Sequence, residues 1–155
     1  MARVQKSVLV PYGAQQMFEL VERVEDYPRF LPWCAGAAIL EHGQNETIAR
    51  LDIHYRGVRA HFTTVNRFER PERIVIALRS GPFRHLDGTW RFTALGPNGS
   101  KVELALGYEF ATAVLERLIG PVFNRIAHTF VDAFVRRADE IYGGAPPSDR
   151  SPGRP

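Results

Sequence analysis

The sequence holds a single cysteine, Cys34. That excludes an internal disulfide and any paired-cysteine metal site. It also lacks a His-Glu-x-x-His pair, a glycine-rich phosphate loop of the P-loop or dinucleotide-binding kind and a Gly-x-Ser-x-Gly elbow. The common signatures of metalloprotease, nucleotide-binding and serine-hydrolase chemistry are thus missing. No apolar run approaches the ~18 residues of a membrane span, which confines any bilayer contact to the surface. Residues 1–10 carry charges where a signal peptide needs its apolar run. With the lone cysteine, this predicts a cytoplasmic protein with at most peripheral contact with the inner membrane. Internal repeats and low-complexity segments are absent from the domain.

What is present fits one domain. The chain has 155 residues, 45% hydrophobic and 24% charged, enough for an ordinary core. The formal net charge of +3 favours anionic surfaces but falls short of a nucleic-acid arm, and DNA is not an expected partner. Over residues 112–142, Leu115, Ile119, Val122, Phe123, Ile126, Phe130 and Phe134 recur at three- and four-residue spacing. On a helix they make one broad apolar stripe, with Arg117, Asn124, Arg125, His128, Asp132, Arg136 and Asp139 opposite. Gly120-Pro121 predicts a kink or restart, with a short arm able to move against a longer one.

Upstream, residues 2–10 read as a strand, residues 14–24 as a helix, and residues 26–34 as a single capped turn ended by Pro32. From 37 to 110 the period is two, with turn residues at 43–45, 56–57, 70–71, 80–84 and 96–99. Short links between such runs imply an antiparallel meander. The predicted architecture is α+β: strand, two helices, about six strands, then a long helix. A curved sheet of about seven strands grips that helix and leaves a hydrophobic cavity between them. The domain is assigned to residues 1–143, and residues 144–155 are read as a disordered tail.

Several spaced motifs carry a resemblance. They are Val10-Pro11-Tyr12 with Met17-Phe18; Tyr27-Pro28-Arg29-Phe30-Leu31-Pro32-Trp33-Cys34; Gly81-Pro82-Phe83 with Leu86 and Trp90-Arg91-Phe92; and Gly120-Pro121-Val122-Phe123 with Ala133-Phe134 and Arg137-Ala138. Together they resemble the coenzyme Q-binding family of START-like (polyketide cyclase-like) domains, whose bacterial members are called ribosome association toxins. Gly13, Ala111-Thr112 and His128-Thr129 depart from the family's forms. The resemblance implies a helix-grip domain that carries ubiquinone or a similar polyprenyl lipid and supports respiration, with no cofactor and no catalysis. It implies as an alternative a toxin that binds the large ribosomal subunit and blocks subunit association. A START-like cyclase or hydrolase is a third reading.

The candidate cavity residues are Phe30, Trp33, Tyr55, Phe83, Tyr108, Leu118, Ile119, Val122, Phe123 and Ile126. Trp33 and Phe83 stand in proline-bracketed loops suited to a cavity mouth. Leu118 and Val122 flank the expected kink. Tyr55, Thr64, Asn66 and Tyr108 are the candidate polar contacts to a ligand's head group, while Trp90 and Phe130 read as plain core. His54 shares a strand face with Arg50 and Asp52, which places it in solvent rather than in a catalytic site. Arg50, Arg56, Arg59 and Arg67 crowd one part of the meander, as a solvated face or a docking surface for anionic lipid or ribosomal RNA.

Overall fold

The computed structural model describes residues 1–143; the reading of residues 144–155 as a tail falls outside the described residues. The strands are β1 (Ala2–Val10), β2 (Cys34–His42), β3 (Glu46–Tyr55), β4 (Val58–Glu69), β5 (Arg73–Ser80), β6 (Phe83–Ala94) and β7 (Ser100–Phe110). They form one antiparallel sheet in the order β1-β7-β6-β5-β4-β3-β2. Strands β2 to β7 follow one another as a meander, and β1 closes onto β7 from Ala2↔Tyr108 to Val10↔Ser100. The predicted breaks at 43–45, 56–57, 70–71 and 96–99 fall between strands, and that at 80–84 spans the β5–β6 turn and the strand ends on either side of it. The tightest is Arg56-Gly57, with φ of 51° and 79°, the pair of left-handed residues that a two-residue hairpin needs to match strand twist. Register shifts at Cys34/Gly36, Ile39/Glu41, Thr63/Thr64 and Phe83/His85 mark bulges, which bend strands and curl the sheet.

Helix α1 (Ala14–Glu22) buries Met17, Phe18, Leu20 and Val21. Gly13 at its start has no side chain to cap with; instead its own N–H donates to Gln16 Oε1 at 2.9 Å. A 3₁₀ turn follows over Val24–Arg29, earlier than the expected single turn. It buries Tyr27, whose hydroxyl donates to the Val21 carbonyl at 2.6 Å.

Helix α2 (Ala113–Tyr142) lies in the concave side of the sheet, with Thr112 capping it by accepting the Leu115 N–H at 3.1 Å. Ile119, Phe123, Ile126 and Phe134 are buried, while Leu115, Val122 and Phe130 are partly buried against the core. The polar face is exposed as the spacing predicts. Of the expected kink or restart, the restart is corrected: α2 is one continuous helix through Pro121. Proline removes the N–H that would bond the Arg117 carbonyl, but both residues are exposed and water can satisfy that oxygen.

The core is dominated by rings. Phe134 has the rings of Tyr27, Phe30, Trp90 and Phe130 at 5.3, 5.1, 5.4 and 5.1 Å. Gly81 sits at φ 149°, where an added Cβ would meet Phe62 Cβ at 2.6 Å; only glycine lets this turn lie against β4. The last turns of α2 are clasped to the segment that follows β1. The Tyr12 hydroxyl donates to the Asp139 carboxylate, and the Tyr142 hydroxyl donates to the Gln16 carbonyl at 3.3 Å.

That bond to Asp139, with burial second, pushes the Tyr12 phenol from 10.0 up to about 12. A folded-state value above the unfolded one means the stabilisation is complete below pH 10.0 and lost as pH rises toward about 12. Urea titrations of wild type and Tyr12→Phe should therefore differ at neutral pH and converge through that window. A pH-independent difference would show that the clasp does not titrate.

Candidate ligand cavity

A cavity lies between α2 and the concave face. The sheet supplies Ala49 and Leu51 from β3, Phe62, Thr64 and Asn66 from β4, Ile76 from β5, Leu86 and Trp90 from β6, and Leu106 from β7. The 3₁₀ turn and the loop after it add Val24, Tyr27 and Trp33, and α2 adds Phe123, Ile126, Ala127 and Phe130. None of these residues is charged. The open space is about 70 Å³, on the order of two water molecules' share of liquid and well short of the roughly 300–1,000 Å³ of ordinary ligand pockets. The space is too small for a long ligand as it stands, and such a ligand would need it to widen.

Its few polar atoms can be accounted for one by one. Tyr27 is engaged with the Val21 carbonyl. The Thr64 hydroxyl donates to Asn66 Oδ1 at 2.9 Å. Among the described residues, the buried Trp90 Nε1 has no acceptor, and the buried Thr47 Oγ1, on the residue paired with Asn66 across β3 and β4, has no partner either. Trp90 is wholly buried, and a buried N–H without an acceptor costs about 1–3 kcal/mol.

The predicted residues divide into three groups. Trp33, Phe123 and Ile126 line the cavity, as do Thr64 and Asn66. Phe83 and Tyr108 sit one layer behind it, with Phe123 at 4.8 Å from each ring, and the Tyr108 hydroxyl donates to Asn124 Oδ1. Ile119 is buried in the core beside them, and Val122 is half-buried on the flank of α2. Phe30 packs on Phe134 with Arg137 over its other side, and Tyr55 lies near the hairpin tip with Arg56 over it at 5.1 Å. Leu118 is corrected outright: it is 63% exposed, because an uninterrupted helix places it off the buried stripe.

Trp90 and Phe130, read from the sequence as core, both line the cavity. The available signal was position. Phe130 continues the stripe of Phe123 and Ile126, and Trp90 shares the inner face of β6 with Leu86.

On the outer face, Arg50 pairs with Asp52 at 2.9 Å and Arg67 with Glu46 at 2.8 Å. Arg59 faces His54 across β3 and β4 and has no carboxylate partner among the described residues; Arg56 lies on Tyr55. Two of the four cations are thus neutralised locally, leaving Arg56 and Arg59 as the free pair. His54, His61 and His85 are exposed. Cys34 is buried, and that burial pushes its thiol up to about 11, opposite to the shift that makes a nucleophile. Among the described residues no helix is long and apolar enough to cross a membrane.

Comparisons with known proteins agree with this architecture. The family described as polyketide cyclase / dehydrase and lipid transport matches residues 10–135. Ribosome association toxin RatA of Vibrio cholerae is 41% identical over 143 residues, covering 92% of this chain and 99% of that protein. The mitochondrial coenzyme Q-binding protein COQ10 homolog B of Xenopus laevis is 23% identical, covering 89% of this chain and 58% of that protein. Among solved structures, the Zhui aromatase/cyclase of Streptomyces sp. R1128 superimposes with a TM-score of 0.74 at 20% identity, over 92% of this chain and 98% of that one. At that identity it speaks for the fold alone. With the seven-stranded grip and its cavity, these likenesses show that the chain belongs to the polyketide cyclase / dehydrase and lipid-transport family, in the START-like group of coenzyme Q-binding proteins and ribosome association toxins.

Proposed function

We propose that the protein holds a neutral hydrophobic ligand, ubiquinone or a similar polyprenyl lipid, between α2 and the sheet, and carries it without chemical change. The observation behind this reading is the cavity wall, mostly apolar and free of charge. The coenzyme Q-binding relative supports the ligand class. Burying about ten isoprenoid carbons at ~0.8 kcal/mol each gives roughly 8 kcal/mol before ordering costs, so apolar contact alone reaches about micromolar affinity at best.

The test is organic extraction of freshly purified protein followed by mass spectrometry. A quinone or other isoprenoid in near-stoichiometric amount supports the reading, and repeatedly empty protein sinks it. Both tryptophans of the chain line the cavity, so added short-chain quinone should also quench most of the intrinsic fluorescence.

A second reading is favoured by the 41% identical relative named for ribosome association: docking on the large ribosomal subunit through the outer face of β3 and β4. Arg56→Glu with Arg59→Glu reverses the two free cations. Surface changes of this kind usually alter stability by under about 0.5 kcal/mol. The double variant should cosediment with large subunits about tenfold less at low salt, and wild-type binding should fall as salt rises. Equal cosedimentation would leave these arginines as solvated surface.

A further inference from the structure

We infer that the first turns of α2 dock the protein on the surface of an anionic phospholipid bilayer. Val114 and Leu118 enter the boundary between headgroups and acyl chains, and Arg117 and Arg125 meet the lipid phosphates. The surface is separate from the cavity, and the inference does not depend on what the cavity holds.

Helix α2 carries a second apolar row, opposite the one it buries. Val114, Leu118 and Pro121 recur at four- and three-residue spacing. All three are exposed, Val114 by 58% and Leu118 by 63%, and the half-buried Leu115 and Val122 widen the row on one side. Single exposed apolar residues are ordinary, whereas a contiguous exposed strip marks an interaction site. The core has no use for this strip, because Ile119, Phe123 and Ile126 fill it from the other face.

The charge around the strip has one sign. Arg125 continues the row by another turn and Arg117 flanks it, both exposed. Glu116, the acidic residue of these turns, lies on the other flank and lines a cleft with Met1 and Arg84. The Ala111 N–H donates to the Pro82 carbonyl at 3.0 Å, so α2 begins against the β5–β6 turn. The β3–β4 hairpin turns at the same end of the sheet. Arg56, Arg59 and Arg79 at that end, like Arg117 and Arg125, have no carboxylate partner among the described residues. Asp52 and Glu109 there are each held by an arginine.

These two features together select the occupant. A second copy of the chain would cover the apolar row but bring the same arginines against their like. A nucleic acid would satisfy the arginines but leave aliphatic side chains with nothing apolar to enter. An anionic bilayer supplies phosphates at its surface and hydrocarbon just beneath, which suits an apolar row collared by arginines.

The experiment sediments the full chain with vesicles of phosphatidylcholine alone and with an about two-to-one mixture of phosphatidylcholine and phosphatidylglycerol. Wild type should bind the mixed vesicles at least about tenfold more strongly, and less as salt rises. Val114→Gln with Leu118→Gln removes apolar surface and leaves the charge; it should weaken binding about tenfold. Arg117→Gln with Arg125→Gln should lower the preference for phosphatidylglycerol by about as much. All four side chains are exposed, so melting temperatures should stay near wild type, and Leu118→Gln alone decides the matter if the double variant folds poorly. Wild type that stays in the supernatant, binds both vesicles alike, or binds undiminished after the apolar substitutions overturns the inference. A dimer that Leu118→Gln dissociates would assign the strip to a second copy. Loss of cosedimentation with large ribosomal subunits in Leu118→Gln, with vesicle binding intact, would assign it to the ribosome. Each of these results overturns the bilayer and leaves the extraction test of the cavity untouched.

Discussion

Ala127→Leu is expected to abolish retention of a hydrophobic ligand without loss of stability. Ala127 is 1% exposed and points from α2 into the cavity. In a filled core, added methylenes usually cost about 1–3 kcal/mol. Here they enter about 70 Å³ of open space, and at ~24 cal/mol per Å³ filling such a void returns on the order of 1–2 kcal/mol. The variant should melt at or above the wild-type temperature while its organic extract contains only background isoprenoid. A drop of many degrees would mean that the site is tightly packed. A stable variant that still carries ligand would place the ligand elsewhere. Val122, which a kinked helix would have put in this role, is half-buried on the helix flank and outside the cavity wall.

Phe134→Ala is expected to take away about 3–5 kcal/mol, the usual range for a buried phenylalanine. Four rings from three parts of the chain meet Phe134, so its removal opens a void that no single neighbour can fill. Domains of this size have total stabilities of about 5–15 kcal/mol, and the loss would be a large share of that. Leu118→Ala, more than four helical turns earlier on the same helix, is the control: at 63% exposure it should stay within about 0.5 kcal/mol of wild type. Urea unfolding of the two variants checks both, and a Phe134→Ala midpoint near wild type would remove Phe134 as the centre of the grip.

The fold was legible because its punctuation is chemical. Gly43, Arg56-Gly57, Pro71, Gly81-Pro82 and Gly96 each sit where the chain reverses, and alternation between them assigns faces directly. The cavity was less legible. Periodicity says which face a residue occupies but not whether the residues opposite meet it, so Trp90 and Phe130 looked like filler and Phe83 and Tyr108 looked like lining. The helix misled at Pro121 for a different reason: proline's cost depends on whether water can reach the orphaned carbonyl, a property of the tertiary surroundings. The free Trp90 N–H could not be foreseen either, since it follows from the absence of an acceptor nearby.

The closure of β1 onto β7 sets the order in which this molecule can be made. The first strand to be synthesised waits for a partner about a hundred residues later, a long-range pairing of the kind that slows folding. At about 5–20 residues per second, that interval is roughly 5–20 s on a translating ribosome. Helix α2, which covers the inner face, comes later still. Until α2 has been made, the row of Val102, Leu104, Leu106 and Tyr108, and the ring of Trp90, lack the cover of that helix. A nascent chain that stops short of α2 is therefore an open, adhesive sheet and a substrate for chaperones.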